Sequence, residues 1–156
     1  MANQVYVFRA KLKGWHGVRR TIAIRAEETL VDLHDALQAA FAWDGQRPFA
    51  FWLSGRFWAR EGVEYVHPLG LKGKSLQGSH SAIAGLRRRS AARPLERLGL
   101  IDGQRIAYVF DFHREWRVRL TLRKIAADDG GHYPRVLESV GDAPPQYLAL
   151  GEQDAA

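Results

Sequence analysis

TLVDLHDALQAAFAWD, running from Thr29 to Asp44, is the stretch whose reading decides the fold. Leu30, Leu33, Leu37, Ala40 and Phe41 recur at the three- and four-residue spacing of one helix face. Thr29 with Asp32 three residues later is a start signal of the capping-box kind, in which each side chain accepts from the other's backbone N–H. Asp32, Asp35 and Gln38 are assigned to the wet side, and His34, at the border of the stripe, reads as a partly buried packing histidine. The Asp44-Gly45 pair is expected to end the helix, because glycine enters the left-handed region without penalty. A helix with such a stripe needs an apolar sheet or helix to cover it.

Alternation on either side supplies a sheet. In VYVFRAKL, residues 5–12, Tyr6, Phe8, Ala10 and Leu12 fall on one face, and Val5, Val7, Arg9 and Lys11 on the other. In VRRTIAIRA, residues 18–26, Val18, Ile22 and Ile24 face in and Arg19, Thr21 and Arg25 face out, while Arg20 interrupts the apolar side. Gly14 and Gly17 bracket a turn around Trp15 and His16, so the two runs are expected to form an antiparallel hairpin. Beyond the helix, residues 47–54 read as a strand, and 56–60 are expected to pair back after the Ser54-Gly55 turn. Residues 104–112 and 115–125 carry the strongest strand patterns. Residues 67–80 read as a Gly/Ser-rich loop, Arg87–Arg89 as part of a mobile basic loop, Pro94 to Leu98 as a short helix, and the chain after Ala126 as a polar loop. The predicted class is α+β: an antiparallel sheet with one principal helix packed on one face, plus a short second helix. One domain is expected over residues 1–150, with 151–156 as a frayed tail.

Composition narrows the function. With 46% hydrophobic and 11% aromatic residues the chain can bury a core and is not of the disordered class. The absence of cysteine excludes disulfides, zinc ribbons, iron–sulfur clusters and thiol catalysis. Apolar runs are short and interrupted, so no membrane partner is expected. Met1 to Phe8 shows no signal-peptide pattern, so a cytoplasmic location is expected. The net charge of +6, from 23 basic and 17 acidic residues, favours polyanionic partners. The excess of arginine over lysine, with abundant alanine and glycine, is also what GC-rich coding yields.

Three blocks carry a family resemblance: Thr29 to Asp44, FDFHREW from Phe110 to Trp116, and YPRVL from Tyr133 to Leu137 followed by Pro144-Pro145. With Arg19-Arg20 they resemble the plasmid pRiA4b Orf-like family, also called the transposon-passenger TnpR group. The family-type positions here are Leu33, His34, Gln38, Trp43, Asp111, Phe112, Trp116, Tyr133, Pro134, Pro144 and Pro145. The resemblance implies an α+β fold and a plasmid or mobile-element setting, and little about activity. The departures from the pattern are informative. Where the family usually reads His-Leu-His-Glu-Phe, this chain has Arg47, Pro48, Phe49, Ala50 and Phe51. Where it reads Gly-Asp-Ser-Trp-Glu-His after Asp-Phe, this chain has His113, Arg114, Glu115, Trp116, Arg117 and Val118. Val136 and Ala143 stand at the usual cysteine positions, and Gln146 and Tyr147 after the two prolines. The aromatic and proline framework is kept while most groups that could bind metal or move a proton are replaced. An acid or histidine site of the family is expected to be degenerate here, and no cofactor or metal is predicted.

The residues themselves leave two function classes open. Asp111-x-His113 and Asp128-Asp129-Gly130-Gly131-His132 put acids near histidines, but neither spacing is diagnostic of a metal site. Gly73-Lys74-Ser75 lacks the earlier glycine of a phosphate loop, because that place is Pro68. Basic residues form the clearer pattern. Arg117, Arg119 and Arg123 alternate with Trp116, Val118, Leu120 and Leu122, and Arg9, Lys11, Lys13, Arg19 and Arg25 lie on the outward faces of the first hairpin. Arg87, Arg88, Arg89 and Arg93 add further charge. If the strands share a sheet, the guanidinium forks form one surface suited to phosphates. The aromatic group Phe49, Phe51, Trp52, Phe57 and Trp58 suits either core packing or base stacking, with Trp52 expected on the side opposite Phe49 and Phe51 and at least one Trp exposed. A non-catalytic binding module for nucleic acid is the favoured reading. A protein-interaction module and an enzyme with an unrecognised site are the alternatives.

Overall fold

Capping chemistry sets the start of the helix in this computed structural model, which describes residues 3–71 and 85–147. Helix α1 (Leu30–Phe41) begins with Thr29 Oγ1 accepting from the Asp32 N–H at 3.2 Å, while Asp32 Oδ2 accepts from the Thr29 N–H at 2.8 Å. Its end differs from expectation. The left-handed cap is Ala42, with φ 59°, three residues before Gly45, which also has a positive φ of 70°. A left-handed alanine is unfavourable by ~1–2 kcal/mol. The early turn returns Trp43 to the core, where it is buried and stacks on Phe41 at 4.8 Å. Gly45 instead donates its N–H to Gln38 Oε1 at 2.8 Å. Gln38 is therefore buried rather than on the wet side.

The strands are β1 (Gln4–Leu12), β2 (Arg19–Arg25), β3 (Phe49–Trp52), β4 (Gly62–Val66), β5 (Leu86–Ser90), β6 (Arg105–Phe110), β7 (Trp116–Ala127) and β8 (Arg135–Val140). Among the described residues they form one eight-stranded sheet in the order β5-β4-β3-β6-β7-β1-β2-β8. Every neighbouring pair is antiparallel except β4–β5, which is parallel. The sheet is thus mostly antiparallel rather than purely so. A 3-10 turn at Leu95–Arg97 stands where the short second helix is expected.

Three segments depart from the sequence reading. Residues 56–60 do not pair back; Trp58 turns left-handed at φ 55°, and β4 pairs with β3 instead. Arg87–Arg89 lie in β5, not in a loop. The chain after Ala126 contains β8, whose register on β2 slips between Thr21 and Ile22. The expected tail at 151–156, and Gly73-Lys74-Ser75, lie outside the described residues.

Apart from a minor group of Val5, Val7 and Ala23 with Tyr133 packed against it, two apolar clusters form among the described residues. The larger joins Leu30, Leu33, Leu37 and Phe41 of α1 to alternate residues of the sheet, including Phe8, Ile22, Tyr108, Val118 and Leu120. Leu37 is fully buried there. Leu37→Ala is expected to destabilise by about 2–5 kcal/mol, measured by urea unfolding; a loss within error would mean that the stripe is not buried. Arg20, on the same side, is buried because its guanidinium donates to the carbonyls of Ala40, Val140 and Gly141 at 2.9–3.0 Å and lies over Phe41. The smaller cluster joins Ala50, Trp52, Ala59, Val66, Ala107 and Val109, with Phe57, Trp58 and Phe112 packed against it. Trp52 is fully buried in it, beside Trp58 at 5.1 Å. Trp58 itself is half-buried, so the aromatic group is mainly core.

Candidate functional site

The register places three cations directly opposite one another across β7, β1 and β2: Arg119 pairs with Lys11, and Lys11 with Arg19. Adjacent strands lie about 4.8 Å apart. Like charges in that arrangement repel, so the row favours a bound anion. Arg9 lies in the next row, between Thr121 and Thr21. The row ends at the β1–β2 turn. There a cleft of about 360 Å³ is lined by Lys11, Lys13, Trp15, His16, Arg19 and Arg119 among others.

Segment 53–61 adjoins this surface and occupies part of its charge. Arg119 donates to the Gly55 carbonyl at 3.0 Å and its guanidinium lies 5.2 Å from the Phe57 ring. Arg117 and Lys13 lie over the same ring, each at 5.6 Å. Arg117 also pairs with Glu115 at 2.7 Å, and Arg19 contacts Glu138 at 3.4 Å across exposed side chains. Exposed pairs of this kind are worth little, so an anion competes with them readily. Lys11 makes no ion pair among the described residues and is exposed.

The structure separates the other cations from this row. Arg25 pairs with Asp128 at 2.6 Å, donates to the Gly131 carbonyl and lies over Tyr133. Arg123 is the extra residue where the β1–β7 register shifts between Val7 and Phe8, and it is exposed. Arg87, Arg88 and Arg89 sit on β5, at the far edge of the sheet. Arg88 is bound to the buried Glu64 at 3.0 Å. Arg93 is exposed near the start of α1. Trp15 and His16 were readable as turn residues but not as site residues. The signal was the hairpin itself, because a turn that joins Lys11 to Arg19 must stand beside both.

The acids near histidines are turn residues. Asp111 Oδ1 accepts from the His113 and Arg114 N–H groups. Asp129 accepts from Arg135, Tyr133 and Gly131, and the Arg135 contact comes first in holding its carboxyl below the usual range. Among the described residues no three His, Asp or Glu side chains are grouped to hold a metal.

A second polar centre is enclosed. Gln38 Nε2 donates to Tyr108 Oη at 2.9 Å, and Tyr108 Oη lies 2.7 Å from His34 Nδ1. Because Gln38 Oε1 is fixed by the Gly45 N–H, the Tyr108 hydroxyl hydrogen is left for His34 Nδ1. The neutral imidazole then carries its proton on Nε2. Burial, followed by the charge of His67, pushes His34 from 6.5 down to about 3. Burial likewise pushes Tyr108 well above its ordinary value. His34 stacks on Phe49 at 3.8 Å.

Several family-type residues meet around this frame, while Phe112 packs on the smaller cluster and Tyr133 against Val5, Val7 and Ala23. Trp43 stacks on Phe110 at 5.3 Å and on Trp116 at 5.6 Å, tying the first block to the second. Gln146, just after Pro144-Pro145, accepts from the Asp44 N–H at 2.6 Å and donates to Asp44 Oδ1, closing the third block onto the first. The model of the family described as plasmid pRiA4b ORF-3-like protein matches residues 4–149. The chain belongs to that family. Among solved structures, a protein of unknown function, MM3350 from Methanosarcina mazei Go1, is similar to this pRiA4b ORF-3-like chain with a TM-score of 0.69. It is 21% identical, and the match covers 94% of this chain and 74% of that one. The likeness shows the shared fold. No curated protein matches the chain. No helix among the described residues is long and apolar enough to cross a membrane.

Proposed function

We propose that this pRiA4b ORF-3-like domain is a non-catalytic nucleic-acid-binding module of plasmid or mobile-element type. The observation that carries the reading is the cross-strand row Arg119–Lys11–Arg19, three adjacent cations backed by a rigid sheet. Guanidinium and ammonium groups at this density replace the counterions of a phosphate backbone. The positioning is independent of base sequence, because these contacts reach phosphates rather than base edges. The non-catalytic part rests on the second centre: His34 is buried, neutral and bonded to Tyr108, so it is poorly placed to exchange a proton with a substrate.

Salt titration tests this. Binding of a random-sequence oligonucleotide is expected to weaken linearly in log–log form as salt rises. Lys11 and Arg19 are the informative pair, since Arg117 and Arg119 also hold Gly55 and Phe57. Lys11→Gln with Arg19→Gln is expected to reduce the slope by roughly 1.4–1.8 while unfolding is unchanged. An unaltered slope and affinity in the double variant would remove the row from consideration.

A further inference from the structure

The cleft at the end of the cationic row has a feature that phosphate contacts alone do not require. Trp15 forms part of its wall, half-buried and held 6.1 Å from Trp116 at a 42° tilt. Lys11 stands on β1 with Lys13 in the turn just past its end, Arg19 on β2, and Arg119 on β7. An indole beside four cations at the closed end of a hairpin is the chemistry that holds a base and its phosphate together. The volume, about 360 Å³, lies at the small end of ligand clefts, which suits one nucleotide and not a duplex. A base stacked in a duplex offers no face to an indole, whereas an unpaired base offers both.

We propose that this cleft is a single-nucleotide subsite for an unpaired strand. The phosphate lies among Lys11, Arg19 and Arg119, and the base stacks on Trp15. His16, exposed in the turn, completes the rim. The inference rests on the nucleic-acid reading and adds strand state to it. The domain binds single strands in preference to duplexes, and one base supplies stacking energy that the rest of the row does not.

The test uses fluorescence anisotropy of the whole chain with labelled oligothymidylate of about 12 nucleotides, inside the usual range of single-strand sites. Its partners in the test are the matching duplex and a strand of equal length made of abasic units. Base stacking on one aromatic predicts that the abasic strand binds ~10-fold more weakly, and that Trp15→Ala loses a similar factor. Trp15→Phe, which keeps an aromatic face, is expected to retain most of the affinity. The duplex is expected to bind more weakly than the single strand at the same salt. Equal binding of oligothymidylate and abasic strand would overturn the subsite while leaving the cationic row standing, and it needs no folded variant. A duplex bound as tightly as the single strand would overturn it too. Failure of all three probes to bind at low salt would remove the nucleic-acid reading itself, and the subsite with it.

Discussion

Arg88→Leu is expected to destabilise the domain by about 3–5 kcal/mol, the usual consequence of removing one partner from a buried ion pair. Arg88 and Glu64 face each other across the parallel β4–β5 pair. Glu64 is 1% exposed, and both Nε and Nη2 of Arg88 reach its Oε1, at 3.2 and 3.0 Å. The other carboxylate oxygen accepts from the Trp52 indole at 3.2 Å. Removing the guanidinium takes from a buried carboxylate, beside the smaller apolar cluster, the countercharge that Arg88 supplies. Glu64→Gln added to Arg88→Leu is expected to recover much of the loss, because the amide keeps an acceptor for Trp52 and carries no charge. Urea unfolding of the wild type, the single variant and the double variant checks this. A single variant as stable as wild type would show that the pair is effectively solvated. Arg88 is therefore a fastening of the sheet edge, and its salt slope for nucleic acid is expected to be that of wild type.

Arg88 also shows where sequence reading stops. Three consecutive arginines look like a solvated loop, because charge runs usually are. Only the partner Glu64, 24 residues earlier and itself buried, makes the middle one internal. That pairing is long-range and leaves no mark in local periodicity. The same holds for β8, whose residues are mostly exposed on an edge strand and so lack the alternation that announces a half-buried strand. By contrast, α1 and β7 bury one face each, and burial on one face is what writes a period of two or 3.6 into a sequence; β6 buries both faces and is announced by a continuous apolar run instead. The helix start was legible because a cap is local chemistry. Its end was not, because Ala42 is left-handed for the sake of Trp43, a tertiary demand that overrides the preference for glycine.

The candidate site was legible to the same degree. Alternation alone separates Arg117 and Arg119 from Trp116 and Val118, and Lys11 from Leu12. Register decides which cations become neighbours, and register is set by pairing across strands. It brought Lys11 between Arg119 and Arg19, gave Arg25 to Asp128, and left β5 at the opposite edge. Segment 53–61 was the least readable part. Its Phe57 gathers Lys13, Arg117 and Arg119 around one ring, so part of the arginine face holds the chain's own loop.

Acid is expected to weaken the fold through His34 before most carboxylates take part. In the unfolded chain the imidazole takes a proton near pH 6.5; in the fold it resists until about pH 3, chiefly because burial penalises the charge. Between those values the unfolded state binds the extra proton, so stability is complete above pH 6.5 and falls as pH drops toward 3. The slope approaches ~1.4 kcal/mol per pH unit within the window, for a total on the order of 4–5 kcal/mol. Asp44 is held down to about 2, first by the Tyr147 hydroxyl, and its loss begins only below the ordinary carboxylate value. Asp35, next to His34 in the helix and raised first by partial desolvation, and Glu28, raised by its hydrogen bond to Asp32, oppose the His34 effect. His34→Gln isolates the imidazole, since the glutamine carbonyl still accepts from the Tyr108 hydroxyl and does not titrate. Denaturant unfolding of both proteins from about pH 7 to 4.5 is expected to show the wild type steeper by close to one proton. Parallel pH profiles would mean that His34 charges within the fold. The enclosed centre would then be open to water, and a proton-transfer role for His34 and Tyr108 would displace the structural one.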